Sequence, residues 1–448
     1  MTVQLGAEVK NWLLGDFYRL AKENPETRLV VFVWPENIVE YRAQFAHERC
    51  IIEPLAKPSY RPLRQMFRTA SYVNVPSSTI WGRTRHRRLE GGSLPAFWGK
   101  RLIWLLSYLK LWRSFMRTLE KFFSMDEKVW KEYFDRYKPD VIFAPTTYRE
   151  VDLALIKYAK KVGVPTLGML RGWDNMSSKA FLLAHPDMLL VQNPLMRDEA
   201  VNWNDVPREK IRVIGFPYFD HYFDPQWRMT RDEVARSIGA DPRKKWIAYF
   251  AGGMMTGFLY DKKTHDHLLM LKDALARGEF GEAEVMVSVH PSDRAEWTGD
   301  DLGEKIKVLR LVKNWTFTRD SAKTVMNFIR ECELVIDLGS SLALEAAIFD
   351  KPIIFAGFNG YRDEKLPPHR KLSAIYDYTV HMQYLIRTGG VWVVQTEKEL
   401  IEAIKTYLEN PSLHREGRSR IVKEVVGPLD GKAGQRAFDA LVKLSVEI

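Results

Sequence analysis

From Asp140 onward the chain repeats one pattern, a short apolar run followed by a turn and a segment whose apolar residues return at helical spacing. Runs of this length, apolar on every position, fit strands buried on both faces, as in parallel sheets. Their alternation with helical segments implies parallel strands joined by helical crossovers. Asp140–Pro145 (DVIFAP), Pro165–Leu170 (PTLGML), Met188–Gln192 (MLLVQ) and Ile211–Gly215 (IRVIG) make a first series. The rhythm pauses over Phe216–Asp224, where Pro217 and Pro225 act as breakers. It restarts with Trp246–Phe250 (WIAYF), Val285–Val289 (VMVSV), Lys307–Leu309, Leu334–Asp337 (LVID), Pro352–Phe355 and Val391–Val394.

Two series in 448 residues predict an α/β protein of two doubly wound parallel-sheet domains. The expected boundaries are 1–225 and 226–448, with a basic helical insertion over about 60–137 and a last helix returning to the first domain. Before the first series, Ala7–Glu23 reads as one amphipathic helix and Thr27–Trp34 as a buried strand stopped by Pro35. Glu40–Leu94 carries scattered Pro and Arg with little periodicity and is expected to be irregular or peripheral structure. Ala96–Tyr137 predicts a helical pair with Trp98, Leu102, Leu105, Leu109, Trp112 and Met116 on one stripe.

The net charge of +10 fits an anionic partner without naming it, and its excess lies in the amino half, among Arg61, Arg64, Arg68, Arg83, Arg85, Arg87 and Arg88 and the helical pair that follows. No helix-turn-helix, RRM or KH signature accompanies these arginines, so nucleic acid is not the expected partner. The aromatic stripe reads first as core, with contact to an anionic membrane surface as the alternative. No apolar run approaches the ~20 residues of a spanning helix, and Met1–Lys10 has no basic segment before an apolar core. A cytoplasmic protein is expected, peripheral at the inner membrane face if the stripe meets lipid. Cys50 and Cys332 stand apart, with no CxxC or Cys/His spacing, and no metal site is expected.

In doubly wound sheets ligands bind outside the carboxyl ends of the strands, so chemistry is sought there. Gly252 and Gly253 follow WIAYF, and residues without a Cβ let backbone N–H groups approach a phosphate; the pair on its own fits an ordinary tight turn better. His290 and Pro291 follow VMVSV, where an imidazole can donate to a phosphoryl oxygen. Gly339, Ser340 and Ser341 join LVID to a helix, whose amino terminus favours an anion. Glu345 lies one turn further on and is a candidate for the ribose hydroxyls. Serine capping accounts for one of the two serines, not for the whole segment.

An HP pair at one strand end and an SS pair opening a later helix, in a chain of two such sheets, resembles the GT-B glycosyltransferases. The nearer resemblance is to bacterial enzymes with HP and SS motifs and cytidine-nucleotide donors, such as CDP-glycerol glycerophosphotransferases and capsule Kdo transferases. Leu429–Ala433 (LDGKA) is similar to the terminal helix signature of the glycerophosphotransferases. In the amino half, Arg171–Asn175, Ser178, Lys179 and Gly215–Asp220 are similar to segments of relatives of that superfamily. IDLGSS stands where glycerophosphotransferases tend to have TDYSS, a departure that bears on CDP-glycerol as donor.

The resemblance implies two Rossmann-like domains facing a central cleft, and transfer of a glycosyl or polyol-phosphate group from a nucleotide-activated donor, cytidine favoured over UDP. The acceptor is a glycan, lipid-linked or protein hydroxyl, and no cofactor or DxD-bound metal is implied. Asp174 is the first candidate for the base, with Glu150 and Asp152 after it; Arg171 and Lys179 are candidates for steering an anionic acceptor. Two rivals stand beside this reading. A non-hydrolysing nucleotide-sugar 2-epimerase uses a similar phosphate turn and needs no acceptor. A catalytically silent assembly protein or a basic nucleic-acid binder comes from another class.

Overall fold

The structure is a computed structural model. It describes residues 1–55, 62–123, 128–179, 181–252, 263–290, 302–312 and 318–446. Two compact units divide the chain: unit 1 is Met1–Phe223 with Gly427–Ile448, and unit 2 is Asp224–Val426. The chain therefore leaves unit 1 once and comes back to finish it.

Unit 1 holds two parallel sheets. The first orders β1 (Thr2–Val3), β2 (Leu29–Val33) and β3 (Cys50–Pro54) side by side. The second runs β4 (Ile142–Ala144), β5 (Thr166–Met169), β6 (Met188–Val191), β7 (Ile211–Val213). Val31 and Ile52 of the first sheet share one buried cluster with Leu167 and Leu190 of the second. Into that cluster the terminal helix Ala433–Val446 adds Ala437, Phe438, Leu441 and Leu444.

Three expectations for unit 1 are corrected. Ala7–Glu23 is not one helix: a turn of π-helix, Val9–Leu13, precedes a fresh helix, Asp16–Glu23, after a break at Gly15. Glu40–Leu94 is largely regular, with the helix Ile38–Phe45, β3, and the helices Pro62–Val73 and Ser78–Leu89. It shows little apolar periodicity because the inward face of Ser78–Leu89 is built from Thr79, Gly82, Thr84 and His86 as well as Ile80, small and polar side chains that a hydrophobic count passes over. The helical pair is three helices, Leu94–Leu106, Lys110–Phe123 and Lys128–Tyr137. Of the stripe expected to face the core, Met116 is buried, whereas Trp98, Leu102, Leu105 and Leu109 are exposed.

Unit 2 is a single six-stranded parallel sheet. Its strands are β8 (Trp246–Phe250), β9 (Glu284–Ser288), β10 (Ile306–Leu309), β11 (Leu334–Asp337), β12 (Ile353–Ala356) and β13 (Trp392–Val394), ordered β10-β9-β8-β11-β12-β13. In sequence this is the order 3-2-1-4-5-6, in which the winding reverses between the first and fourth strands. The reversal point here lies between β8 and β11, where Phe250 stands in register with Asp337. β8, β9 and β11 are buried along nearly their whole length, which is why each reads as an unbroken apolar run.

Candidate functional site

At the carboxyl end of β8, Gly252 runs beside the segment leaving β11. A Cβ there would lie 3.3 Å from the Cβ of Leu338, so any larger residue pushes the two strand ends apart. Gly339 is more restricted. It has φ +91°, and a Cβ would meet Met382 Sδ and the Tyr376 ring at 3.2 Å.

Between these glycines the last residue of β11 organises the turn. The buried carboxylate of Asp337 accepts the Ser340 N–H at 2.9 Å and its hydroxyl at 3.2 Å, and Ser340 Oγ in turn accepts the N–H of Leu342 at 3.1 Å. Burial pushes the Asp337 carboxyl up to about 6 against the pull of these donors. The two serines of the motif thus separate. Ser340 is tied to Asp337 and to the first turn of the helix Leu342–Ile348. Ser341 occupies the N-cap position with an exposed side chain whose hydroxyl forms no hydrogen bond among the described residues. Glu345, the ribose candidate, is only 3% exposed, and a ribose hydroxyl reaches it only by entering the protein interior.

His290 follows β9 by two residues and is half-buried. Because Ser288 of β9 pairs with Phe250 of β8, and Phe250 with Asp337 of β11, the segments carrying His290, Gly252 and Gly339–Ser341 leave three adjacent strands at the same end of the sheet. Gly253 and Pro291 lie outside the described residues.

In unit 1 the candidates scatter. Asp174 precedes the four-residue helix Asn175–Ser178; its carboxylate accepts the Ser178 hydroxyl at 2.9 Å and stands 3.5 Å from Lys179 Nζ. Glu150 opens the helix Glu150–Lys161 and is ion-paired with Arg64 at 3.3 Å and Arg68 at 3.6 Å. Lys179 and Glu150 line one pocket with Arg64, Arg68, Tyr72 and Tyr148. Arg171 does not line it, although the same loop reaches the pocket wall through Asn175, which donates to Tyr148 Oη at 3.4 Å.

Asp152 is a correction. It is wholly buried, with one oxygen accepting from Thr2 Oγ1 and from Gln4 Nε2 at 3.0 Å and the other accepting the Thr146 N–H at 2.7 Å. A base must reach its substrate, and this carboxylate instead joins β1 and the residue after it to the turn after β4. Burial, with Glu8 nearby, pushes it up to about 7.

Sequence reasoning gave no role to Asp337, Tyr376, Met382 or Tyr148. Only Asp337 carried a signal, as an acidic residue closing an otherwise apolar strand. Tyr376 and Met382 come from a later segment and meet the Gly339 turn only in three dimensions, whereas Tyr148 stands beside Glu150 in the pocket of unit 1.

No protein-family model and no curated protein matches this chain. Solved structures do match. A UDP-GlcNAc 2-epimerase from Neisseria meningitidis bound to UDP-GlcNAc aligns over 99% of this chain and 100% of its own, with TM-score 0.56 and 12% identity. That from Methanocaldococcus jannaschii gives 0.54 at 15% identity over 99% of this chain and all of its own. A glycosyltransferase from Rickettsia africae gives 0.51 at 10% identity over 99% of this chain and 97% of its own. This chain has the GT-B fold. At such identities the likeness shows the fold alone, and the GT-B neighbours include both epimerases and a glycosyltransferase.

Proposed function

We propose that unit 2 binds the phosphates of a nucleotide-activated sugar or polyol, and that the protein transfers the activated group to a hydroxyl of a glycan, lipid-linked or protein acceptor. The observation that carries this reading is the convergence of Gly252, His290 and the Gly339–Ser341 turn on three adjacent strand ends, at the reversal point of a 3-2-1-4-5-6 sheet. Glycines that let the backbone come close, an exposed serine at a helix start and an imidazole are the groups that hold a phosphate without a cation.

In the transfer the acceptor oxygen forms a bond to the activated carbon or phosphorus as the bond to the departing nucleotide oxygen breaks. The charge left on the nucleotide is stabilised by the helix start and His290. The hydroxyl proton goes to a carboxylate, for which half-buried Asp174 is the first candidate and half-buried Glu150 the second.

A 2-epimerase is the second reading, favoured by the Neisseria and Methanocaldococcus neighbours. One experiment separates them. Thermal shifts with CMP, CDP, UDP, GDP and TDP rank the base; a ligand at a hundred times its Kd stabilises by about 2.7 kcal/mol. The nucleotide sugar of the best base is then incubated without acceptor. Unchanged donor that is consumed once acceptor glycans are added supports the transferase, and epimer formed without acceptor supports the second reading. No shift with any nucleotide overturns both.

A further inference from the structure

The helix Leu94–Leu106 (LPAFWGKRLIWLL) is apolar at most positions, yet none of its residues is buried. Trp98 is 52% exposed and Leu102 58%. The exposed surface continues through Leu105 and Leu109 onto the next helix, where Leu111 is 87% exposed and Phe115 lies one turn beyond it. Water-facing apolar surface on two consecutive helices is costly unless something covers it.

The chemistry around it limits what that is. Between Arg83 and Lys121 the chain carries ten Lys and Arg against two Glu. Arg113 and Arg117 are taken up by Asp205, at 2.6 and 3.0 Å. Arg85, Arg87, Lys100, Arg101, Lys110 and Lys121 remain exposed or half-buried around the apolar face. Arg101 lies over the rings of Trp81 and Trp98 at 5.4 and 5.0 Å, joining charge to aromatic surface. Burial, with Arg87 close by, lowers the Lys100 ammonium below the ordinary lysine range.

We propose that the helical hairpin Leu94–Phe123 docks the protein in the plane of an anionic lipid bilayer. A helix of thirteen residues is about 20 Å long, too short to cross a hydrocarbon core of about 30 Å and suited to lying along its surface. Trp98, Leu102, Leu105, Leu109, Leu111 and Phe115 enter the acyl boundary while the basic side chains meet lipid phosphates. A second copy of the chain would bring the same positive rim against itself, and a nucleic acid offers no apolar surface for the leucines. The site owes nothing to the donor chemistry of unit 2.

Flotation with vesicles of phosphatidylglycerol and phosphatidylcholine, against phosphatidylcholine alone, tests the docking. The full chain is expected to float with the anionic vesicles, with a blue shift of tryptophan emission and partial release by salt. The double variants Leu102→Asp with Leu105→Asp, and Lys100→Glu with Lys110→Glu, are each expected to lose about tenfold or more in partitioning. Their unchanged thermal melting shows that these exposed positions do not govern folding. Failure of the full chain to bind either vesicle, or variants that bind as the parent does, overturns the proposal. So does sedimentation showing a dimer that the leucine variant dissociates, which assigns the face to a second copy.

Discussion

The carboxylate of Asp220 accepts the backbone N–H of Gly434 at 2.7 Å, and that of Ala433 at 3.0 Å, across more than two hundred positions of chain. Asp220 thus caps the terminal helix Ala433–Val446, supplying from the distant 3-10 helix Pro217–Phe223 an acceptor for its first N–H groups. Gly434 fits because a Cβ there would stand 3.0 Å from the Phe17 N–H nitrogen. Asp220→Ala leaves two buried N–H groups unpaired and is expected to cost about 1–3 kcal/mol. Urea unfolding followed by tryptophan fluorescence measures it; a variant as stable as the parent would show that the cap is dispensable.

The contribution of three buried carboxyls to stability should fall as pH rises from about 4 to 7. Asp152 stands at about 7 in the fold against 3.8 for a free carboxyl, and Asp220 and Asp337 at about 6, each through burial. A folded value raised in this way gives stability that is complete below the unfolded value and lost as pH climbs through the folded one. His185 and His267, which burial holds at about 4, act in the opposite sense, so the carboxyl share is read as a difference: relative to the parent, Asp152→Asn is expected to gain melting temperature between pH 5 and pH 8. A variant whose melting follows the parent's at both pH values would contradict the shift at Asp152.

Ser340 and Ser341 should respond in opposite ways. Ser340→Ala removes the acceptor for the Leu342 N–H and a donor to Asp337, and is expected to lower the stability of unit 2 by about 1 kcal/mol. Ser341→Ala touches no internal bond and is expected to leave stability unchanged while weakening nucleotide binding about tenfold, the worth of a hydrogen bond to a charged phosphate. Calorimetric titration together with melting separates the two.

Binding of a nucleotide sugar should weaken as pH rises through about 6. Ionisation of Asp337 places a negative charge under the turn proposed to receive the diphosphate, and like charges would oppose one another there. Titration at pH 5.5 and 7.5 is expected to show tighter binding at the lower value. Asp337→Asn is expected to remove that difference; its persistence in the variant would place the titrating group elsewhere.

Much of unit 2 was legible because β8, β9 and β11 are buried on both faces and each strand end carries its own glycine, serine or histidine. Unit 1 was less so. β1 is two residues long and β3 packs its buried positions into CIIEP, too little pattern to separate from loop. Asp152 looked like a base because it follows a strand end; only its partners Thr2 and Gln4, nearly 150 positions away, show it to be a structural hinge between segments.

The sequence by itself determined the class of the fold, through the alternation of short apolar runs with helical segments, and put glycines and serines where strands must turn. Tertiary structure alone decided which polar groups stay available. Ser340 is bound by Asp337 and Ser341 is not; Arg113 is bound by Asp205 and Lys110 reaches solvent. The stripe that periodicity assigned to a core lies open because the helix Leu94–Leu106 packs its other side, through Ile103 and Trp104, on the cluster that holds Phe67 and Ile80. Periodicity records that one face is apolar, whereas burial depends on what the rest of the chain brings against it.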